Sequence, residues 1–332
     1  MRAAVLGSGS FGTALANTLA INCAQVRVWG RDADAVTAIN TRHENPGYLP
    51  GISLSERVRA TGELSEALDG AELLVLAIPS QATREVVKRT LPWIPQHIPL
   101  VCVSKGIENG TLMTMSQLLE DCLPETAHPY LAILSGPSFA KELAQRMPTV
   151  VTIASRWDKV ALRVQKTLQT ESFRAYTSTD VIGVEMGGAL KNCIAIAAGI
   201  SDGLGFGHNA RAALITRGLA EITRIAVRLG ANPLTLAGLS GMGDLVLTCT
   251  GELSRNRRVG VELGRGRALE DVLGEMTQVA EGVKTAQSAK DLSEKTGVEL
   301  PICAQVYAIM YEGKEPKRAV VELMTGAPKA ET

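Results

Sequence analysis

A chain of 332 residues is too long for one ordinary domain and predicts two of about 150 residues each. Its 45% hydrophobic and 20% charged content is that of a soluble globular protein, and 34 Lys plus Arg balance 34 Asp plus Glu. That balance excludes the basic excess of a nucleic-acid binder and leaves room only for a local basic pocket. Six scattered cysteines form neither a CxxC pair nor a Cys/His cluster, so neither a zinc site nor a disulfide framework is expected, which fits a reducing cytosol. No run of 18 apolar residues is evident, so no membrane span is expected.

Residues 2–6 (Arg-Ala-Ala-Val-Leu) read as a short buried strand. Met1-Arg2 and the apolar residues that follow imitate a signal peptide, but Gly7, Gly9 and Gly12 cut its apolar core. A glycine turn leads to a helix through about Asn22, and Gln25–Trp29 reads as a second strand. Leu73–Ile78, Leu100–Ser104 and Tyr130–Leu134 are apolar runs of strand length, each followed by a turn and a helical stretch. That alternation predicts a parallel sheet covered on both faces, which Thr149–Ala154 and Phe173–Tyr176 would extend. After about residue 180 the period becomes helical, over 181–201, 209–229, 255–264, 281–296 and 301–312, with a break at Gly230-Ala231-Asn232-Pro233. Pro328 to Thr332 are expected to fray.

Gly7-x-Gly9-x-x-Gly12 follows a strand and opens a helix, the context that a dinucleotide fingerprint requires. Gly7 permits the tight turn, Gly9 lets backbone approach a pyrophosphate, and Gly12 lets the helix pack closely on the sheet. Free N–H groups at the helix start then face the phosphates. The expected fold is an α/β Rossmann-type doubly wound domain over residues 1–180, followed by an all-α substrate-binding and catalytic domain over 181–332. The second strand ends at Trp29-Gly30-Arg31-Asp32. An acidic residue there would bind the 2′-hydroxyl of NAD, whereas Arg31 suits the 2′-phosphate of NADP, so NADPH is favoured. Asp32 keeps NADH open, and a solvated surface charge is the plain alternative for Arg31.

His43, His97, His128 and His208 form no nucleophile–base pattern, so another group must move any proton. Lys191 lies in an apolar helical stretch with Gly187, Gly188, Ala195 and Ala198 on its face. Two adjacent glycines cost a helix ~1 kcal/mol each and so imply close approach by a ligand or another backbone. A lysine in that stripe should have a lowered pKa, suited to acid/base work; a snorkelling lysine on a tightly packed helix is the alternative. Lys105 follows a strand end, where ligands of doubly wound folds bind, although a surface-turn lysine fits equally. The Ser135–Ala140 turn could line a nicotinamide pocket. Asp244 and Thr248 share a helical face; Asp244 could hold a lysine ammonium or act as an N-cap. Ser254-Arg255-Asn256 opens a helix as a phosphate cradle or as an exposed charged turn.

These residues together resemble one family, the bacterial NAD(P)-dependent glycerol-3-phosphate dehydrogenases. The resemblance spans the chain. It rests on GSGSFGTALA at the start, WGRD, YLPG at 48–51, Ser104 to Gly106, SGPSFAKE at 135–142, GGALKN at 187–192, GMGDL at 241–245, SRNR at 254–257 and Glu281-Gly282. It implies a reversible reduction of dihydroxyacetone phosphate to sn-glycerol 3-phosphate for phospholipid synthesis, in a cytoplasmic homodimer that needs no metal. Lys191 resembles the family's general acid/base. Lys105, Gly136, Ser138, Asn192, Asp244 and Thr248 resemble its groups around the substrate. Ser254, Arg255 and Asn256 resemble its phosphate site. Ser10, Phe11, Arg31, Lys105, Ala140, Arg255, Val279 and Glu281 resemble its cofactor contacts, beside Gly7, Gly9 and Gly12.

Related two-domain 2-hydroxy-acid and ketopantoate-type dehydrogenases are the nearest alternative, and Ser254-Arg255-Asn256 separates them. A non-catalytic NADPH-binding sensor is another, which the lysine and the phosphate site oppose.

Overall fold

The structure, a computed structural model, describes residues 1–276 and 278–325. Pro328–Thr332, expected to fray, lie outside the described residues. The strands are β1 Arg2–Leu6, β2 Gln25–Trp29, β3 Val58–Thr61, β4 Leu73–Leu76, β5 Leu100–Cys102, β6 Leu131–Ser135, β7 Thr149–Ala154 and β8 Phe173–Ser178. They form one sheet in the order β3-β2-β1-β4-β5-β6-β7-β8. The first six strands give the 3-2-1-4-5-6 order of a doubly wound dinucleotide fold, and the order reverses between β1 and β4. β4 is buried at every position and β1 at all but its first, because helices cover both faces. Val5, Val28, Val75 and Leu134 face one core beneath the Ser10–Asn22 helix, and Leu6, Leu76 and Cys102 face the other.

Two expectations are corrected. One pairing, β6 with β7, is antiparallel. The link between them carries only the five-residue helix Ala140–Ala144, which packs on Ser10–Asn22 instead of crossing the sheet. The chain turns back there at Gly136 (φ 140°), where a Cβ would stand 2.9 Å from the Val151 Cα. β3 has no counterpart in the sequence reading, because four residues with exposed Arg59 in the middle make a weak pattern on an edge strand.

No strand is found beyond Ser178 among the described residues. Helices run over Val181–Gly203, His208–Arg228, Arg255–Gly264, Glu281–Thr296 and Pro301–Tyr311, close to expectation. Shorter helices that the sequence left unmarked include Ala33–Arg42 and Pro316–Met324. Val181–Gly203 is central. It reaches the length and mean hydropathy (1.4) of a membrane span, but Glu185, Lys191 and Asn192 break its apolar run, as expected, and 89% of that window is buried in the protein. It crosses Arg255–Gly264 through two glycine pairs at four-residue spacing, Gly199 and Gly203 against Gly260 and Gly264. A Cβ on Gly199 would stand 2.9 Å from the Gly260 Cα, so only glycine permits this separation. The close crossing brings the start of one helix beside Lys191 and Asn192 of the other.

Candidate active site

The glycine turn sits where β1 and β4 part. Gly7 has φ 121°, and a Cβ there would stand 2.8 Å from the Ala77 carbonyl carbon beyond β4. A Cβ on Gly12 would run into the Gly7 carbonyl, so this glycine sets how closely the helix meets the turn. Gly9, the N-cap, has open space around it and supplies no capping side chain. The helix therefore begins on bare amides above an open surface, a fitting cradle for a pyrophosphate. Ser10 Oγ donates to the Tyr48 carbonyl (2.5 Å), which leaves its backbone N–H as the group for an anion. Phe11 is half-buried in the first turn, and Ala140 opens the short helix packed beside it.

At the end of β2, Gly30 is buried and Arg31 is exposed. Asp32 caps the Ala33–Arg42 helix: its Oδ1 accepts from the amides of Asp34 (3.0 Å) and Ala35 (3.1 Å). That carboxylate is engaged in a helix start, so its approach to a ribose hydroxyl would compete with the cap.

The central array is built on Asp244, which is 1% exposed. Its Oδ1 accepts from Lys191 Nζ (2.7 Å) and its Oδ2 from Lys105 Nζ (2.7 Å). One carboxylate thus holds two ammonium groups, more than the single lysine anticipated for it, and it does not act as an N-cap. Lys191 Nζ also donates to Thr248 Oγ1 (2.6 Å), whose hydroxyl donates to the Asp244 carbonyl (2.6 Å) one helical turn back. Lys105 Nζ donates also to the Gly136 carbonyl (2.9 Å), which Ser138 Oγ supports from 2.9 Å. An ammonium has three N–H groups, so each lysine keeps one for a further acceptor.

Lys191 is 6% exposed and does not snorkel. Burial pushes its pKa down to about 8, with the Lys105 charge adding to the fall and Asp244 opposing it. Burial works to raise the Asp244 carboxyl, but the two lysine charges and their hydrogen bonds outweigh it and hold the group below its usual range. The adjacent glycines have their reason in packing. A Cβ on Gly187 would stand 2.5 Å from the Ser240 carbonyl oxygen, and one on Gly188 2.5 Å from Ser135 Oγ.

Asn192 Nδ2 donates to the Lys105 carbonyl (3.2 Å), and its Oδ1 accepts from Asn256 Nδ2 (2.9 Å). Asn256 Oδ1 accepts from the Gly282 amide (2.9 Å). One amide hydrogen of Asn256 is left by these bonds. Ser254 caps the helix by accepting from the Arg257 amide (3.2 Å), which leaves its hydroxyl hydrogen to donate. Arg255 is exposed beside it. The Ser254–Asn256 turn therefore presents a guanidinium, an amide and a hydroxyl within one turn of Lys191's neighbour.

Glu281 opens its helix, and Val279 just before it is 51% exposed. Both Glu281 oxygens accept from Ser80, from the amide (3.1 Å) and the hydroxyl (2.5 Å), so the turn after β4 is tied to the helical part. Burial lifts the Glu281 carboxyl, against those hydrogen bonds and the charge of Arg255. Ser80 was missed by the sequence reading. Its position after an apolar strand was the signal available, but its partner lies 201 residues away.

The sequence motif of the family described as NAD-dependent glycerol-3-phosphate dehydrogenase N-terminus matches residues 2–161, and that of its C-terminus matches 180–321. A glycerol-3-phosphate dehydrogenase, NAD(P)+, of Myxococcus xanthus is 74% identical over 331 residues, covering 100% of this chain and 99% of that protein. One from Anaeromyxobacter sp. (strain K) is 55% identical, covering 100% of both. The crystal structure of the glycerol-3-phosphate dehydrogenase of Coxiella burnetii superposes with a TM-score of 0.91 at 39% identity, over 98% of each chain. A ketopantoate reductase of Ralstonia eutropha, at 16% identity and a TM-score of 0.60, shares the fold alone. With both halves matched and the relatives aligned end to end, the chain belongs to the NAD-dependent glycerol-3-phosphate dehydrogenase family.

Proposed function

We propose that this chain catalyses the reversible reduction of dihydroxyacetone phosphate to sn-glycerol 3-phosphate, with residues 1–180 holding the dinucleotide and residues 181–332 the substrate. NAD(P)H supplies the hydride when bound. The observation that carries the mechanism is that buried Asp244 holds two lysines, the buried Lys191 and the half-buried Lys105. Lys191, with a pKa of about 8, is charged at neutral pH and can give a proton to the oxygen on the reacting C2. In the oxidative direction the same amine, when neutral, takes that proton. Lys105 directs its remaining N–H to the same oxygen, where a preorganised donor stabilises developing negative charge. Ser254, Arg255 and Asn256 grip the phosphate, which fixes the carbonyl and removes orientational freedom before the reaction.

NADPH is the favoured cofactor, because Arg31 is exposed at the end of β2 while Asp32 is engaged in its cap. A homodimer in the cytoplasm completes the proposal. Six free cysteines, five of them buried, support a reducing compartment.

Oxidation of NADPH and of NADH, followed separately with dihydroxyacetone phosphate and with unphosphorylated dihydroxyacetone, tests this reading. The phosphorylated substrate should be strongly preferred, and turnover of both alike would overturn the phosphate site. Lys191→Ala should lower kcat by at least a hundredfold, within the range that general acid–base groups contribute, and should spare cofactor binding. Near-normal kcat in that variant would refute the role of Lys191.

A further inference from the structure

We propose that Ser8 is a specificity-determining residue for the cofactor: it occupies the space that an acidic side chain at the end of β2 would need. The inference rests on the reading of this site as NADPH-selective and gives that selectivity a steric cause. In NAD-selective doubly wound folds, an acidic residue at this strand end binds the ribose 2′-hydroxyl. Here the first residue past β2 is Gly30. Its φ lies outside the left-handed region, so its backbone conformation does not demand glycine. Its amide donates to the Thr61 carbonyl (3.1 Å), which continues the strand pairing.

What demands glycine is Ser8. A Cβ on Gly30 would stand 2.7 Å from the Ser8 Cβ and nearer still to Ser8 Oγ. Rotating the hydroxyl relieves the second clash but leaves the first. The Ser8 backbone cannot easily retreat, because its carbonyl accepts from Asn45 Nδ2 (2.8 Å) and from Thr13 Oγ1 (3.1 Å), and both partners are fully buried. Thr13 and Asn45 also hydrogen-bond each other (2.9 Å), so the turn rests on a closed network. Ser8 therefore excludes a carboxylate from position 30. The next acidic residue, Asp32, is engaged in its cap. The exposed guanidinium of Arg31 is then the first charge past the strand end.

The test is a double-mutant cycle over wild type, Ser8→Gly, Gly30→Asp and the double variant. Dissociation constants for NADH and NADPH are measured by titration calorimetry, kcat/KM with dihydroxyacetone phosphate, and the melting temperature of each protein. Gly30→Asp alone should weaken both cofactors at least tenfold. In the double variant NADH affinity should recover at least tenfold over Gly30→Asp, while NADPH should not, since the new carboxylate repels a 2′-phosphate. A Gly30→Asp single variant that already binds NADH as tightly as the double variant would overturn the proposal, as would additivity of the two substitutions.

If Gly30→Asp does not fold, Gly30→Ala poses the same Cβ clash without a charge. Ser8→Gly should then restore the binding of both cofactors, and no restoration would overturn the proposal. The underlying NADPH reading is judged separately. It fails if wild type binds the two cofactors equally and Arg31→Ala weakens both alike, whatever the cycle shows.

Discussion

Asp244 holds the ammonium of Lys191, the proposed acid/base group. Its carboxylate raises the lysine pKa, against burial and the Lys105 charge. Asp244→Asn removes that support and leaves two ammonium groups facing each other, so the pKa of Lys191 should fall below about 8. In the proposed mechanism, reduction needs the protonated lysine. Its kcat in wild type should decline as pH rises through about 8, and in Asp244→Asn the decline should come at lower pH. A pH profile of dihydroxyacetone phosphate reduction checks this, and an unchanged midpoint would separate Asp244 from the proton step. The candidates Lys191, Lys105, Asp244 and Thr248 were each legible in the sequence, because a lysine among glycines and an i,i+4 Asp–Thr pair are local patterns. That one carboxylate serves both lysines was not, since its partners lie 53 and 139 residues away.

The long helix Val181–Gly203 carries two further predictions. Gly199→Ala gains ~1 kcal/mol of helix propensity, but its Cβ would meet backbone of Arg255–Gly264, which cannot rotate aside. Overpacking typically costs about 1–3 kcal/mol, so a net loss of stability is expected in urea unfolding. Gly274→Ala, at the end of Leu269–Gly274 with nothing near its Cβ, should be neutral or stabilising and serves as the control. Equal effects of the two would refute the close crossing.

Glu185, on the same helix, accepts from the Ser116 amide (2.6 Å) and hydroxyl (2.7 Å) at the start of Met115–Cys122. Burial raises its pKa from 4.5 to about 7. Native protein then binds more protons than unfolded chain between those values. The contribution of Glu185 is fully present below 4.5 and is lost as pH rises through about 7. Glu185→Gln cannot titrate, so its stability should fall less than that of wild type between pH 4.5 and 7. Parallel stability curves for the two proteins would refute this.

At the scale of the whole molecule, buried or half-buried ties join the sheet to the helices: Lys105 to Asp244, Ser80 to Glu281, Ser116 to Glu185, and the Ile107 carbonyl to Ser288 (3.0 Å). Val181 and Val184 of the long helix also pack into the core beneath β4 and β5. The two parts should therefore unfold together. Trp29, Trp93 and Trp157 all lie before residue 180, so fluorescence reports the sheet side, while far-UV circular dichroism is dominated by the helices. The two urea transitions should coincide, and separated midpoints would show that the ties do not couple the parts.

The sequence alone determined the strand–glycine turn–helix unit at the start, the change from strands to helices near residue 180, and the bounds of Arg255–Gly264 and Glu281–Thr296. These depend on hydrophobic period, caps and turns, which are interactions within a few residues. The tertiary structure alone decided that Asp244 sits between two lysines, that Ser80 meets Glu281, that β7 runs against β6, and that Ser8 fills the space beside Gly30. Each of these depends on which surfaces meet once the chain is folded, and a local pattern carries no record of a partner many residues away.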